Sequence, residues 1–121
     1  MKEEIDKILE VARLAPTGRN SQSQRILVLT DKEELSKLEG CTQYGWGAPL
    51  VMIVCYDTNE SWRRGCDGAD GGLIDACIVT THMMMEVTEL GLGSTWVGAF
   101  DPCKAREIYN VPENYEIVAI L

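Results

Sequence analysis

At 121 residues and 13.4 kDa, the chain has the size of one small domain, and its 45% hydrophobic and 25% charged residues are typical of a globular protein. Nineteen acidic against eleven basic residues give a formal net charge of -8, which disfavours binding to nucleic acid and to anionic membranes. Because the sequence has neither an apolar signal core at its start nor an apolar run of about 18 residues, we expect a cytoplasmic protein that does not cross a membrane.

The N-terminal segment predicts a helix, a polar loop and a strand. Residues 3–14 place apolar side chains at helical spacing with Glu and Lys between them, which favours an amphipathic helix. Pro16 and Gly18 end this helix. The polar, turn-rich loop that follows leads into residues 25–30, whose aliphatic side chains favour a strand.

The next segment predicts a short helix and then a buried strand. Asp31 is placed to cap the helix, with Glu34 three residues later, and Gly40 closes it. An aromatic, glycine-rich loop separates this helix from residues 49–56, a continuous apolar run. Such a run is typical of a strand buried on both faces, so we expect it in the interior of a sheet.

The longest predicted helix, residues 73–90, is apolar around most of its circumference. We expect it to begin at Asp70 or Gly71 and to stop at Gly91. A helix that is apolar nearly all round must be buried nearly all round, and a chain of 121 residues can hardly enclose one alone. The pattern therefore favours a subunit interface along this helix.

The C-terminal third predicts a strand, a helix and a further strand. Residues 95–100 are β-prone, and Asp101 followed by Pro102 has the chemistry of a helix start. That helix runs to about Tyr109, and residues 115–121 form the last predicted strand. The alternation of helices and strands along the whole chain predicts a layered α/β-type arrangement.

The cysteines and the histidine do not form a site. Five cysteines are spread along the chain without the close pairs typical of zinc sites or thioredoxin-like motifs. We therefore expect no metal site, and we interpret the cysteines as free, mostly buried thiols of a reducing compartment. The one histidine, His82, is interpreted as a hydrogen-bonded packing residue.

Three stretches together resemble the nitroreductase family. Residues 12–22, which contain Ala-Pro-Thr at 15–17 and Asn-Ser-Gln at 20–22, resemble the family's helix-to-loop signature, an Ala-Pro-Ser/Thr step followed by Asn-x-Gln. Residues 74–84 continuing into 89–100 resemble its long central helix and the following strand. Residues 111–119 resemble its Leu-Pro-Glu-x-Tyr step into the last core strand, and the resemblance as a whole covers residues 5–121.

The resemblance implies an α+β fold: a three-layer α/β/α sandwich with a central mixed sheet and a long buried helix at a dimer interface. It further implies a homodimer that binds FMN between its subunits and takes hydride from NADH or NADPH. A small flat acceptor, such as a nitroaromatic or a quinone, then enters the same pocket. The apolar circumference of residues 73–90 agrees independently with an interface helix.

Candidate cofactor-binding residues follow from the resemblance and are of two kinds. Some lie in the loop that, in the family, reaches the flavin of the partner subunit, and others in the segment whose backbone amide points at the isoalloxazine N5. The loop candidates are Pro16, Thr17, Gly18, Arg19, Asn20 and Gln22, and the amide segment is Val97 and Gly98. Arg19 and Gln22 are the two assigned to the ribityl chain or the phosphate. Without the resemblance, a plain helix–strand connection is the better interpretation of the loop.

No catalytic side chain is expected. The isoalloxazine gains charge at N1, the C2 carbonyl and N5 on reduction, and fixed amide donors stabilise that charge without a titratable group. This explains why neither His82 nor a pair of carboxylates stands out as a catalyst.

Two features of the family pattern do not occur in residues 1–121. Family members usually carry an Arg-Ser-x-Arg element before the first helix, which grips the FMN phosphate, and a Gly-Tyr/Phe-Pro turn after the last strand. We therefore expect one domain over residues 1–121 that is incomplete at both ends. The alternative to an FMN enzyme is a non-catalytic dimeric remnant of the fold that does not bind flavin tightly.

Overall fold

Two layers of helices enclose a sheet in the computed structural model, which describes residues 1–121. The helices are α1 (Lys2–Leu14), α2 (Lys32–Ser36), α3 (Gly72–Glu89) and α4 (Pro102–Tyr109), and the strands are β1 (Gln24–Leu29), β2 (Val51–Asp57) and β3 (Tyr115–Ile120). Two short 3-10 turns, Gly18–Asn20 and Lys37–Gly40, complete the regular structure. The α+β class expected from the resemblance is confirmed.

Helices cover both faces of the sheet, so every residue of β2 is buried. On one face α1 and α3 pack against the sheet, and Val54 shares a hydrophobic cluster with Met83. On the other face α4 and the Lys37–Gly40 turn pack, and Ile53 shares a second cluster with Ala105. Neighbouring residues of β2 point to opposite layers, which confirms both the three-layer arrangement and the doubly buried strand.

The sheet has the order β1–β2–β3, with β2 in the centre. Leu29 pairs with Val51 in one ladder and Asp57 pairs with Tyr115 in the other, and both ladders are antiparallel. Each connection therefore leaves and re-enters the sheet at one end, so that the next strand must run back. The expectation of a mixed sheet is wrong for these three strands.

Both predicted aspartate caps are present. The side chains of Asp31 and Asp101 each accept a hydrogen bond from a backbone N–H in the first turn of the following helix. Glu34 does not complete a capping box with Asp31, because its carboxylate pairs with Lys37 at 2.8 Å. The helix predicted to extend to Gly40 is α-helical only as far as Ser36 and tightens into a 3-10 turn.

The strand predicted over residues 95–100 is wrong. Only Val97 pairs, in an isolated antiparallel bridge with Ile120. Two backbone hydrogen bonds join these residues, at 2.7 and 3.1 Å. Because β3 ends at Ile120, the sheet offers this segment a single partner residue and no ladder follows.

The cysteines and His82 occupy unrelated places. Cys41 and Cys55 are buried, whereas Cys66 and Cys103 are exposed, so the expectation of mostly buried thiols is wrong. Burial raises the pKa of the Cys55 thiol to about 11. The Nδ1 atom of His82 lies 3.0 Å from a carbonyl oxygen one turn earlier in α3, which agrees with a packing role.

Gly72 allows α3 to begin directly against the sheet. A methyl group at this position would overlap the ring of Tyr56 in β2. We expect Gly72→Ala to lower the free energy of unfolding by about 3 kcal/mol, at the upper end of the usual range for overpacking. Gly65→Ala is the matched control, since nothing lies within 4 Å of the added Cβ there. Urea unfolding followed by circular dichroism measures both, and equal midpoints would contradict the prediction.

Candidate functional site

The segment of residues 16–22, called the 16–22 loop below, joins α1 to β1 beside the first turn of α3. The backbone N–H of Gly18 donates to both carboxylate oxygens of Asp75, with distances of 3.0 Å to Oδ1 and 3.1 Å to Oδ2. At the other end of the loop, Thr17 Oγ1 accepts the N–H of Gln22 at 3.1 Å. The loop is therefore tied to α3 at its start and closed upon itself at its end.

Three residues of the 16–22 loop have left-handed backbone conformations: Arg19, Asn20 and Gln22, with φ of 53°, 55° and 53°. Residues other than glycine rarely adopt positive φ, and such a conformation persists only where the surroundings determine it. Asn20 Oδ1 also accepts the side-chain amide of Gln22 at 2.8 Å. The side chains of Arg19 and Asn20 are exposed, on the outside of this constrained turn.

Trp62 fills the angle between the loop and α3. A Cβ added at Gly18 would lie 3.2 Å from the Trp62 ring, and one added at Gly71 would lie 2.8 Å from it. The carbonyl of Trp62 also accepts the N–H of Gly71 at 2.7 Å. A side chain at Gly71 would displace the indole, and one at Gly18 would press tightly against it, so both glycines favour this close approach.

Of the three arginines near the loop, Arg19 is the one without a hydrogen bond or ion pair in the chain. Arg13 forms a two-point pair with Glu10, at 2.6 and 3.0 Å. Arg25 donates to two carbonyl groups at the end of the loop and lies 3.7 Å from Asp57. Of these three arginines, Arg19 is therefore the one whose guanidinium is free to bind an anionic ligand.

Val97 and Gly98 differ in what their amides offer. The N–H of Val97 donates to the Ile120 carbonyl at 2.7 Å, so it is not available to a ligand. The N–H of Gly98 has no acceptor in the chain, the residue is exposed, and nothing lies within 4 Å of a Cβ added there. Of the two predicted residues, Gly98 is therefore the one whose backbone N–H is free to donate to a ligand.

The two groups of candidate residues do not meet within one chain. Asp75 marks the end of α3 that holds the 16–22 loop, whereas Val87, near the other end, lines a mostly apolar groove of about 750 Å³ together with Val97. At 1.5 Å per residue, the helix separates Asp75 from Val87 by roughly 18 Å. The loop candidates lie together, and Val97 and Gly98 lie apart from them.

The chain covers only one side of α3. Its buried side faces α1 and the sheet through Ala76, Val79, Met83 and Val87. On the other side Leu73, Ile74 and Met85 are 54%, 64% and 64% exposed. One side of an apolar helix is thus left uncovered. No helix of the chain has the length and apolarity needed to span a membrane.

Sequence reasoning missed Asp75 and Trp62. Asp75 carried a usable signal, because it is the one carboxylate in the apolar stretch from Leu73 to Met85. A buried charge in such a stretch needs a specific partner. Trp62 carried no comparable signal, since its contacts with Gly18 and Gly71 depend on the fold.

The chain matches the family model described as "Nitroreductase family" in two segments, residues 1–42 and 39–121. A relative from Archaeoglobus fulgidus, with the provisional name NADH dehydrogenase/NAD(P)H nitroreductase, is 30% identical, and the match covers 98% of this chain and 70% of that protein. A Bacillus subtilis protein named FMN reductase, NAD(P)H, is 25% identical and is covered over 52% of its length.

Solved structures agree with these sequence matches. A nitroreductase family protein from Clostridium difficile 630 is 45% identical, with a TM-score of 0.95 over 99% of this chain and 69% of that one. An FMN-dependent nitroreductase from Clostridium difficile R20291 is 28% identical, with a TM-score of 0.84 over 99% of this chain and 73% of that one. On the family-model match, the sequence identity and the shared fold, the chain belongs to the nitroreductase family.

Proposed function

We propose that the protein is an FMN-dependent oxidoreductase that takes hydride from NADH or NADPH and reduces a small flat acceptor such as a nitroaromatic or a quinone. One observation carries the proposal: the two groups of candidate cofactor residues lie at opposite ends of a helix whose apolar face is uncovered. The names of two relatives, FMN reductase and FMN-dependent nitroreductase, support FMN as the cofactor.

A second copy of the chain would bring the two groups together. In a two-fold symmetric dimer the same patch of each subunit is buried against its mate. If α3 packs against its symmetry mate across an axis perpendicular to both, the two helices run antiparallel. The 16–22 loop of one subunit then lies at the end of α3 where the partner presents its Gly98 segment. The homodimer would thereby contain two equivalent composite sites.

The residues of this composite site fit FMN. Arg19 offers a guanidinium to the phosphate, and Asn20 offers an amide to the ribityl hydroxyls. Gly98 presents an unoccupied N–H in open space, where a flat ring can approach the backbone. FMN, when bound, supplies the N5 atom that accepts and passes on hydride. The Gly98 N–H would stabilise the charge that develops there, so the chain needs no acid or base of its own.

The rival function is that of a dimeric remnant without tightly bound flavin. The charges around the 16–22 loop favour this function. Arg13 and Arg25 are already paired inside the chain, so Arg19 is the one arginine at the loop that is free to bind a phosphate. One charge-assisted contact binds a phosphate dianion only weakly, and the net charge of -8 repels it. Flavin binding by the purified protein decides between the two functions.

Replacing Arg19 tests the proposed function at the phosphate. We expect Arg19→Gln to lower FMN affinity by about ten- to a hundredfold, since a hydrogen bond to a charged group contributes about 1.5–3 kcal/mol. Affinity for riboflavin, which has no phosphate, should not change. Fold stability should not change either, because Arg19 is exposed and has no partner.

Titration of each flavin, followed by quenching of its fluorescence, measures these affinities. Arg13→Gln is the matched control, because Arg13 is held by Glu10, and it should bind FMN as the unchanged protein does. If the unchanged protein binds neither flavin at micromolar concentration, the remnant is the correct function. If Arg19→Gln weakens FMN and riboflavin equally, Arg19 does not contact the phosphate.

A further inference from the structure

The geometry points to Asp75 as the positioning residue of the cofactor site: its buried carboxylate holds the 16–22 loop against α3 in the shape that receives FMN. This inference rests on the proposed function for the identity of the ligand. It goes beyond it by assigning a role to a residue that lies outside the loop and in the core of the subunit.

Asp75 is an unusual core residue. It is 5% exposed and lies on the side of α3 that packs into the subunit, next to Ala76. No lysine or arginine pairs with it, and the N–H of Gly18 is its one hydrogen-bond donor. A buried carboxylate with a single donor is costly, and its location in the first turn of α3 offsets only part of that cost. Packing of the core does not require a charged side chain at position 75, which favours a functional explanation for the presence of Asp75.

The carboxylate does for the loop what a capping side chain does for a helix. The Gly18–Asn20 turn begins at Gly18, and Thr17, which precedes it, makes no side-chain cap. Thr17 uses its hydroxyl to close the far end of the loop on Gln22 instead. Asp75 therefore supplies from α3 the acceptor that the turn lacks locally.

The backbone that follows depends on this anchor. Arg19 and Asn20, directly after Gly18, have positive φ, which must be imposed by contacts. Besides the backbone bonds of the turn and the side-chain bond between Asn20 and Gln22, the contacts are the Asp75 bond to Gly18, the Thr17 bond and the packing of Trp62. Loss of the Asp75 acceptor would release the start of the turn, and Arg19 and Asn20 would no longer be pre-oriented. Pre-orientation is a large part of ligand affinity.

The first test measures the loop without any flavin. Amide hydrogen exchange by NMR on the cofactor-free protein should show that Asp75→Ala raises the exchange rate of the Gly18 amide at least tenfold. Amides of β2 should keep their rates, since the core strand does not depend on this bond. Asp75→Asn, which retains one acceptor oxygen, should restore at least half of the lost protection on a logarithmic scale. It also serves if Asp75→Ala does not fold.

The second test measures FMN affinity in the same variants. We expect a loss of about tenfold or more for Asp75→Ala and partial recovery in Asp75→Asn. Thr80→Val is the matched control: Thr80 is also polar and fully buried in α3, but its hydroxyl bonds to Ala76 of its own helix. It should leave both readings unchanged.

The two tests separate the inference from the proposed function. Unchanged Gly18 exchange in Asp75→Ala, or equal losses of protection at Gly18 and in β2, overturns the positioning role. Faster exchange with unchanged FMN affinity overturns it as well, because the loop would then be held for another purpose. Failure of the unchanged protein to bind FMN defeats the proposed function and with it the cofactor role, while the exchange data still decide whether Asp75 holds the loop.

Discussion

Ile74→Glu is expected to convert a dimer into a folded monomer with much weaker affinity for FMN. Ile74 is 64% exposed in the single chain, on the uncovered side of α3, so the subunit itself does not need the apolar side chain. In the proposed dimer the carboxylate would be buried without a partner, at a cost of several kcal/mol. The substitution occurs twice in a two-fold interface, and a loss of about 3 kcal/mol already raises the dimer dissociation constant more than a hundredfold.

Light scattering at micromolar concentration measures the change in mass, and circular dichroism measures whether the subunit remains folded. Cys103→Glu is the matched control, because it adds the same charge at an exposed position on α4, in the opposite helical layer. It should remain a dimer. A stable, well-folded monomer of the unchanged protein would contradict the proposed dimer, and a dimeric Ile74→Glu variant would show that α3 does not form the interface.

The same uncovered helix shows how far the sequence determined the fold. The apolar spacing of residues 73–90 predicted the helix that the structure shows as α3, and the unbroken apolar run of residues 49–56 predicted a strand covered on both faces, as β2 is. These patterns arise from the spacing of apolar residues along the sequence, which follows from which faces of an element are buried. The aspartate caps at Asp31 and Asp101 were predictable for a similar reason, since a capping bond spans only two or three residues.

Features that depend on distant partners were not predictable. Residues 95–100 have β-prone side chains, but a strand needs a ladder, and only Val97 finds a partner. The bond from Gly18 to Asp75 joins residues 57 positions apart, and no local pattern specifies it. The left-handed turn at Arg19 follows from that bond and from packing, so the sequence predicted the location of the loop but not its shape.

Removal of the Gly98 amide N–H is expected to have a large effect on the rate of hydride transfer. We expect Gly98→Pro to slow the hydride-transfer step by about a hundred- to a thousandfold, which is the usual result of removing one preorganised donor from developing negative charge. Proline removes the N–H, and Val97 before it, which pairs with Ile120 as a strand residue does, has the extended kind of backbone that a residue before proline prefers. The Val97–Ile120 bridge should therefore survive, and the affinity for oxidised FMN should fall much less than the rate.

Gly98→Ala separates the amide from the side chain. Its φ is not positive and nothing lies within 4 Å of the added Cβ, so the variant keeps the N–H at little cost to the fold. Stopped-flow reduction of the flavin by NADH or NADPH should give nearly unchanged rates for Gly98→Ala and strongly reduced rates for Gly98→Pro. The reduction potential of the bound flavin should fall in the proline variant alone, since the donor stabilises the reduced form. If alanine and proline slow the reaction equally, the space at Gly98 matters and its N–H does not. If neither variant has an effect, the proposed flavin lies elsewhere and the pairing of the two ends of α3 has to be abandoned.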